Sequence, residues 1–321
     1  MRYVLLASLL LAAVGCDGFA DDDFTAQVVV SAHLGAGEPL PEIVLTESSP
    51  LLERYDPATL AVAGATVTVS LLAADGSVAT AYPYVAGDAP GTYTPATPAD
   101  VLPQRTYRLD VRAGEHTLTA ETTVPPALAL VAGPAETSVY GEGQGPEIRV
   151  GRTSTAARQT AFVISTRALA PVAFEEVVED GDTRYRSRPA AGTFGLTPPY
   201  ERFLGCDAAE DGPGVVCDED PRENAVVGTS PVINEAGYVD LGDGTVLVQV
   251  PSLAFGFYGP VSIRLVSVDA ALEAFVESQL VQGGGSTLSP GEIPNVTTNV
   301  VGRLGVFGSF ARVTVETTLV E

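Results

Sequence analysis

Lysine is absent from these 321 residues. All 17 positive side chains are arginines, set against 40 aspartates and glutamates. The net charge of −23 excludes the basic footprint with which proteins hold nucleic acid, because phosphates would be repelled. Docking onto anionic lipid headgroups is disfavoured for the same reason. Histidine is almost as scarce: only His33 and His116 are present, each in a segment that alternates like a strand. A zinc centre needs several histidines or cysteines converging. The sequence has three cysteines, Cys16, Cys206 and Cys217, and no H-E-x-x-H. Each histidine therefore reads as a strand-face residue.

The strained G-x-S-x-G elbow of the common serine hydrolases is missing too; "GTSPV" and "FGSFA" approximate it without the second glycine. "GEGQGPEI", residues 141–148, is glycine-rich but lacks the strand–turn–helix setting of a phosphate cradle. The expectation is of a protein that is not an enzyme and carries no cofactor.

The longest apolar run near the front, residues 4–15, holds 12 residues and is too short for a hydrocarbon core about 30 Å thick. With Arg2 before it, the run has the form of a secretory signal peptide. Two cleavage readings compete. Ala13, Val14 and Gly15 fit an ordinary small-residue site that frees a soluble chain. They also resemble the bacterial lipobox before a lipidated cysteine, with Ala13 where leucine is usual. Pairing Cys206 with Cys217 leaves Cys16 over, and an odd cysteine in an exported protein needs a role. Lipid on Cys16 supplies one, and anchors the chain to the outer membrane. The run Asp17, Asp21, Asp22 and Asp23 is then a solvated tether; it also resembles the acidic export signal of surface lipoproteins. The surface and the periplasmic face both stay open.

A hydrophobic content of 45% is ample for packed cores. Residues 24–126 read as about seven short strands, the count of an immunoglobulin-like β-sandwich. Tyr107, Leu109 and Val111 alternate with Arg108, Asp110 and Arg112, which gives one buried and one wet face. Asp75-Gly76 marks a hairpin, and Pro125-Pro126 closes the segment. Residues 127–321 read as a second β-rich domain, with a loop-like stretch at 189–240. It holds one amphipathic helix, "DAALEAFVESQLV", in which Asp269 caps and Leu272, Phe275, Val276 and Leu280 share a face. Gly283-Gly284-Gly285 ends it.

The richest cluster of chemistry-bearing residues is "CDAAEDGPGVVCDED", residues 206–220. Its cysteines enclose a span suited to a disulfide in an oxidising compartment. Asp207, Glu210, Asp211, Asp218, Glu219 and Asp220 offer hard oxygen ligands for calcium, without the spacing of an EF-hand. A stapled, solvated loop is the plainer reading, and no metal site is assigned. "DLGDGT" at 240–245 reads as a turn, and "FGFYG" at 255–259 as a turn whose aromatics could also stack on a sugar.

Several short stretches follow one another along the chain: "VVVSAHL", "GATVTVSLL", "GTY" at 91–93, "TYRLDV" at 106–111, "TVP" at 123–125, "IRLVSVDAALEAF" and "IPNVTTNVVGRLGVFGSF". Their order resembles the DUF4249 family, lipoproteins of Bacteroidota and related bacteria. Gln104 departs from it, standing where a glycine is expected before "TY". The resemblance implies an N-terminal immunoglobulin-like domain, a β-rich C-terminal domain, and an outer-membrane setting beside TonB-dependent receptors. It implies no catalytic residues. The expected role is a non-catalytic binding or accessory module. A carboxylate-dependent glycan hydrolase and a calcium-rigidified adhesin-like module stay open beside it.

Overall fold

The structure, a computed structural model, describes residues 24–320 apart from 51–55, 140–144, 153, 156–157, 160, 170–172, 180–181, 189–226, 252–253, 256–258 and 281–296. It is mainly β. The first unit supplies β1 (Val28–Gly35), β2 (Ile43–Glu47), β3 (Thr66–Leu72), β4 (Val78–Ala86), β5 (Thr92–Pro95), β6 (Thr106–Ala113) and β7 (His116–Thr123). Short strands follow: β8 (Leu130–Ala132), β9 (Thr137–Val139), β10 (Glu147–Gly151), β11 (Ser154–Thr155) and β12 (Arg158–Gln159). Next come β13 (Phe162–Ala168), the hairpin β14 (Ala173–Glu179) and β15 (Asp182–Arg188), β16 (Val227–Thr229), β17 (Tyr238–Asp240) and β18 (Thr245–Gln249). The chain ends with β19 (Gly259–Val268), the helix α1 (Ala270–Leu280) and the 17-residue strand β20 (Leu304–Val320).

Alternation decides the first unit. Tyr107, Leu109 and Val111 of β6 are buried while Arg108 and Asp110 between them form an ion pair at 2.9 Å. At the β3–β4 turn the Asp75 carboxylate accepts from the Ser77 N–H and hydroxyl, a local bond that pre-forms the hairpin. β4 changes partners along its length: Val78–Pro83 lie beside β3, and Tyr84–Ala86 beside β5. That switch folds one hydrogen-bonded path into two layers, an immunoglobulin-like sandwich whose core includes Leu34, Ile43, Val69, Tyr107 and Leu118.

A second core gathers Ile148, Phe162, Ile164, Val248 and Ile263 between β13–β19–β20 and the sheet β17–β18–β10–β8. Part of the stretch expected to be loop-like is strand. Val227–Thr229 pairs with β13 and Tyr238–Asp240 with β18, recruited by neighbours rather than by their own pattern.

The two units share one strand. Leu304–Phe310 of β20 runs parallel to β1, and Phe310–Leu319 runs antiparallel to β19. Phe307, fully buried, belongs to the first core together with Val300, although both lie near the C-terminus.

Candidate functional site

The stretches "VDAALEAF" and "NVVGRLGVFGSF" meet in space where β20 passes from one unit to the other. Asp269 is the centre of this meeting. Its Oδ1 accepts the Leu272 N–H at 2.9 Å, capping α1 as the sequence indicates, and also the Ser309 N–H at 3.2 Å. Its Oδ2 accepts the Thr122 hydroxyl of β7 at 2.5 Å, and the Thr122 and Ser309 hydroxyls lie 2.6 Å apart. Burial drives the Asp269 carboxyl above the usual aspartate range, against the opposing pull of the Thr122, Leu272 and Ser309 hydrogen bonds.

Asn299 makes the second tie. Its side-chain amide copies a strand edge, taking the Phe307 N–H at 3.0 Å and donating to the Phe307 carbonyl at 2.8 Å and the Glu121 carbonyl at 3.1 Å. Glycines set the approach distances. A Cβ on Gly305, whose φ is +114°, would stand 2.0 Å from the Val30 carbonyl oxygen, and one on Gly308 would stand 2.9 Å from Leu272 Cβ. A third tie is ionic: Arg312 of β20 grips Glu38 through two contacts, at 2.7 and 3.0 Å.

Chemically, this cluster is a fastening. A carboxylate beside two hydroxyls has the parts of a nucleophile and its orienter, but both hydroxyls are buried and already engaged. Among the described residues neither histidine is hydrogen-bonded to these hydroxyls. His33, on β1 opposite Gly308, has a buried Nε2 with no hydrogen-bond partner, and burial lowers its pKa. His116 lies at the start of β7, exposed, with Nδ1 2.5 Å from Arg303 Nη2. Both histidines sit on strands, as the alternation indicates, and they do not converge. Among the described residues no group of three or more His, Cys, Asp or Glu is placed to hold a metal ion.

The "DLGDGT" turn spends its acids on arginine. Asp243 pairs with Arg149, and Asp240 pairs with Arg152 at 2.6 Å. Hydrogen bonds from Thr245, ahead of the Arg149 charge, hold the Asp243 carboxyl below its usual range. Phe255 of "FGFYG" is buried in the second core and so offers no stacking face. Residues 256–258, Cys16, Cys206, Cys217 and the acids Asp207, Glu210, Asp211, Asp218, Glu219 and Asp220 lie outside the described residues. The Asp269–Thr122–Ser309 meeting was not legible in sequence beyond the cap, because its members are 147 and 187 residues apart.

Fold and junction together define a class: an immunoglobulin-like sandwich fused through a shared C-terminal strand to a second β unit. The chain belongs to the family described as a domain of unknown function, DUF4249, whose model matches residues 19–316. No curated protein matches it. Among solved structures it is similar to a Salmonella alpha-2-macroglobulin reacted with methylamine, at 13% identity and a TM-score of 0.22, over 92% of this chain and 15% of that one. It is also similar to trypsin-activated alpha-2-macroglobulin from Escherichia coli, at 10% identity and a TM-score of 0.20, over 92% of this chain and 16% of that one. A third is the three N-terminal domains of the bacteriophage RB49 outer capsid protein Hoc, at 7% identity and a TM-score of 0.19, over 92% of this chain and 70% of that one. The chain thus spans about a sixth of the length of the macroglobulins it matches.

Proposed function

We propose that the protein is a non-catalytic binding module, held to the outer membrane by lipid on Cys16 and serving as an accessory subunit to a TonB-dependent uptake receptor. The observation that carries this reading is the use made of Asp269. Among the described residues, the carboxylate set beside two buried hydroxyls is consumed in fastening the two β units together. Two β units fixed by one strand, an amide clamp and a bidentate ion pair form a preorganised surface. Such a surface binds a partner without first losing the entropy of ordering itself. Affinity would then rest on a few buried aromatic or arginine anchors. A disulfide between Cys206 and Cys217 would staple the acidic loop in the oxidising envelope.

Affinity purification of the tagged protein from native membranes, with mass spectrometry of the eluate and of the mature N-terminus, tests the reading. The expected result is diacylglyceryl-modified Cys16 and a co-purifying outer-membrane receptor. A solitary protein in mild detergent, or an unmodified N-terminus, overturns it.

A further inference from the structure

The direction of β1 fixes where the tether leaves the body. β1 and β20 are parallel, with Val29 beside Leu304, so the chain upstream of Val28 departs at the end of the sheet where Val301–Arg303 lie. Thr119 bridges to Val301, which brings the β6–β7 hairpin tip to the same end. The acidic tether, with Asp21, Asp22 and Asp23, joins the body at this end. Val301 is 70% exposed, the most exposed large aliphatic side chain among the described residues; Leu304 (37%) opens β20 beside Val29, and Phe24 (42%) lies four residues upstream of β1. Arg303 donates to His116 Nδ1 and to the Gly302 carbonyl, and Arg112 at the hairpin is exposed. Among the described residues neither arginine meets a carboxylate, as is also true of Arg105, Arg167 and Arg264. Glu47 and Glu115 share this end as well.

We infer that this end is a lipid-contacting foot. Val301, Phe24 and Leu304 enter the headgroup boundary of the membrane, and Arg303 and Arg112 meet lipid phosphates. The inference deepens the proposed function and rests on lipidation of Cys16. From Cys16 to Phe24 the tether has eight residues, a reach of at most about 28 Å, so the foot stays close to the bilayer. Exposed apolar residues beside arginines are what interfacial binding uses, and a zwitterionic headgroup offers a phosphate to the arginines and an ammonium to the two glutamates. The chain's high negative charge sets this foot against zwitterionic rather than anionic lipid.

The chain contains no tryptophan, so Val301→Trp introduces a lone fluorophore at an exposed position. The lipidated full-length variant is reconstituted in vesicles of zwitterionic phospholipid doped with lipid brominated high on the acyl chain. Val85→Trp, on β4 and 52% exposed, serves as the reference. Quenching at 301 exceeding that at 85 by roughly twofold or more, and falling in Arg303→Asp, is expected. Equal quenching at both positions in vesicle-bound, lipid-modified protein overturns the foot and leaves the lipoprotein reading standing. Protein with an unmodified N-terminus that fails to bind vesicles, as Cys16→Ser is expected to do, overturns both.

Discussion

Asp269 caps α1 and, through Oδ2, takes the hydroxyl of Thr122 at 2.5 Å, a residue 147 positions earlier on the opposite unit. One side chain thus serves a local and a long-range purpose. Removing it in Asp269→Ala forfeits an N-cap, about 1 kcal/mol, and strands buried donors at Thr122 and Ser309 at about 1–3 kcal/mol each. Because the Thr122 and Ser309 hydroxyls can still bond each other, the loss is expected at the low end of that sum, about 3 kcal/mol or more by urea denaturation. A loss below about 1 kcal/mol would mean that the junction contributes little.

Gly305 sits where β20 first meets β1. With φ at +114° and the Val30 carbonyl oxygen 2.0 Å from where a Cβ would stand, Gly305→Ala forces backbone apart. The expected cost is about 3 kcal/mol or more, read as a lowered unfolding midpoint. Gly302→Ala, with φ at +91° but its nearest neighbour at 3.3 Å, carries conformational strain with far less crowding and should cost less.

Gln104 stands where the family resemblance leads to the expectation of a glycine, and its backbone has the conformation that glycine favours. It has φ at +59°, the sole non-glycine with positive φ among the described residues, in the turn before β6. A side chain in that region costs about 1–2 kcal/mol, partly offset by the chain entropy that glycine brings. Gln104→Gly is therefore expected to stabilise the protein by about 0.5–1 kcal/mol, seen as a higher melting temperature.

What was legible in the sequence follows from the range of the forces. The β6 alternation, the Asp75-Gly76 turn and the Asp269 cap rest on neighbours a few residues apart, and each stands in the structure as the pattern indicates. The double role of β20 depends on pairing with Val29–Gly35, about 275 residues away, and no local pattern encodes it. Neither do β16 and β17, three residues each, which form because β13 and β18 offer open edges. In the "NVVGRLGVFGSF" stretch the glycines and Asn299 set contact distances between strands.

Acid should act through His33. Its pKa is lowered by burial, so its neutral form contributes stability that is fully present above the unfolded value near 6.5 and is lost as pH falls through the depressed value. Asp269 has the opposite sign. Its raised pKa gives a contribution present below the unfolded value and lost as pH rises through the folded one. Between about pH 7.5 and 5 the melting temperature should fall less in His33→Gln than in the parent, whereas in Asp269→Asn, which removes the opposing contribution, it should fall more steeply toward acid. Parallel curves for all three proteins would contradict both assignments.

The shared strand β20 should make the two β units one cooperative body. Native-state hydrogen exchange across a denaturant series tests it most directly, comparing amides of β6 in the first unit with amides of β18 in the second. The account predicts that both sets open with the same free energy and the same denaturant dependence, and that Gly305→Ala lowers both together. Two separate opening energies, with Gly305→Ala moving only one of them, would contradict it.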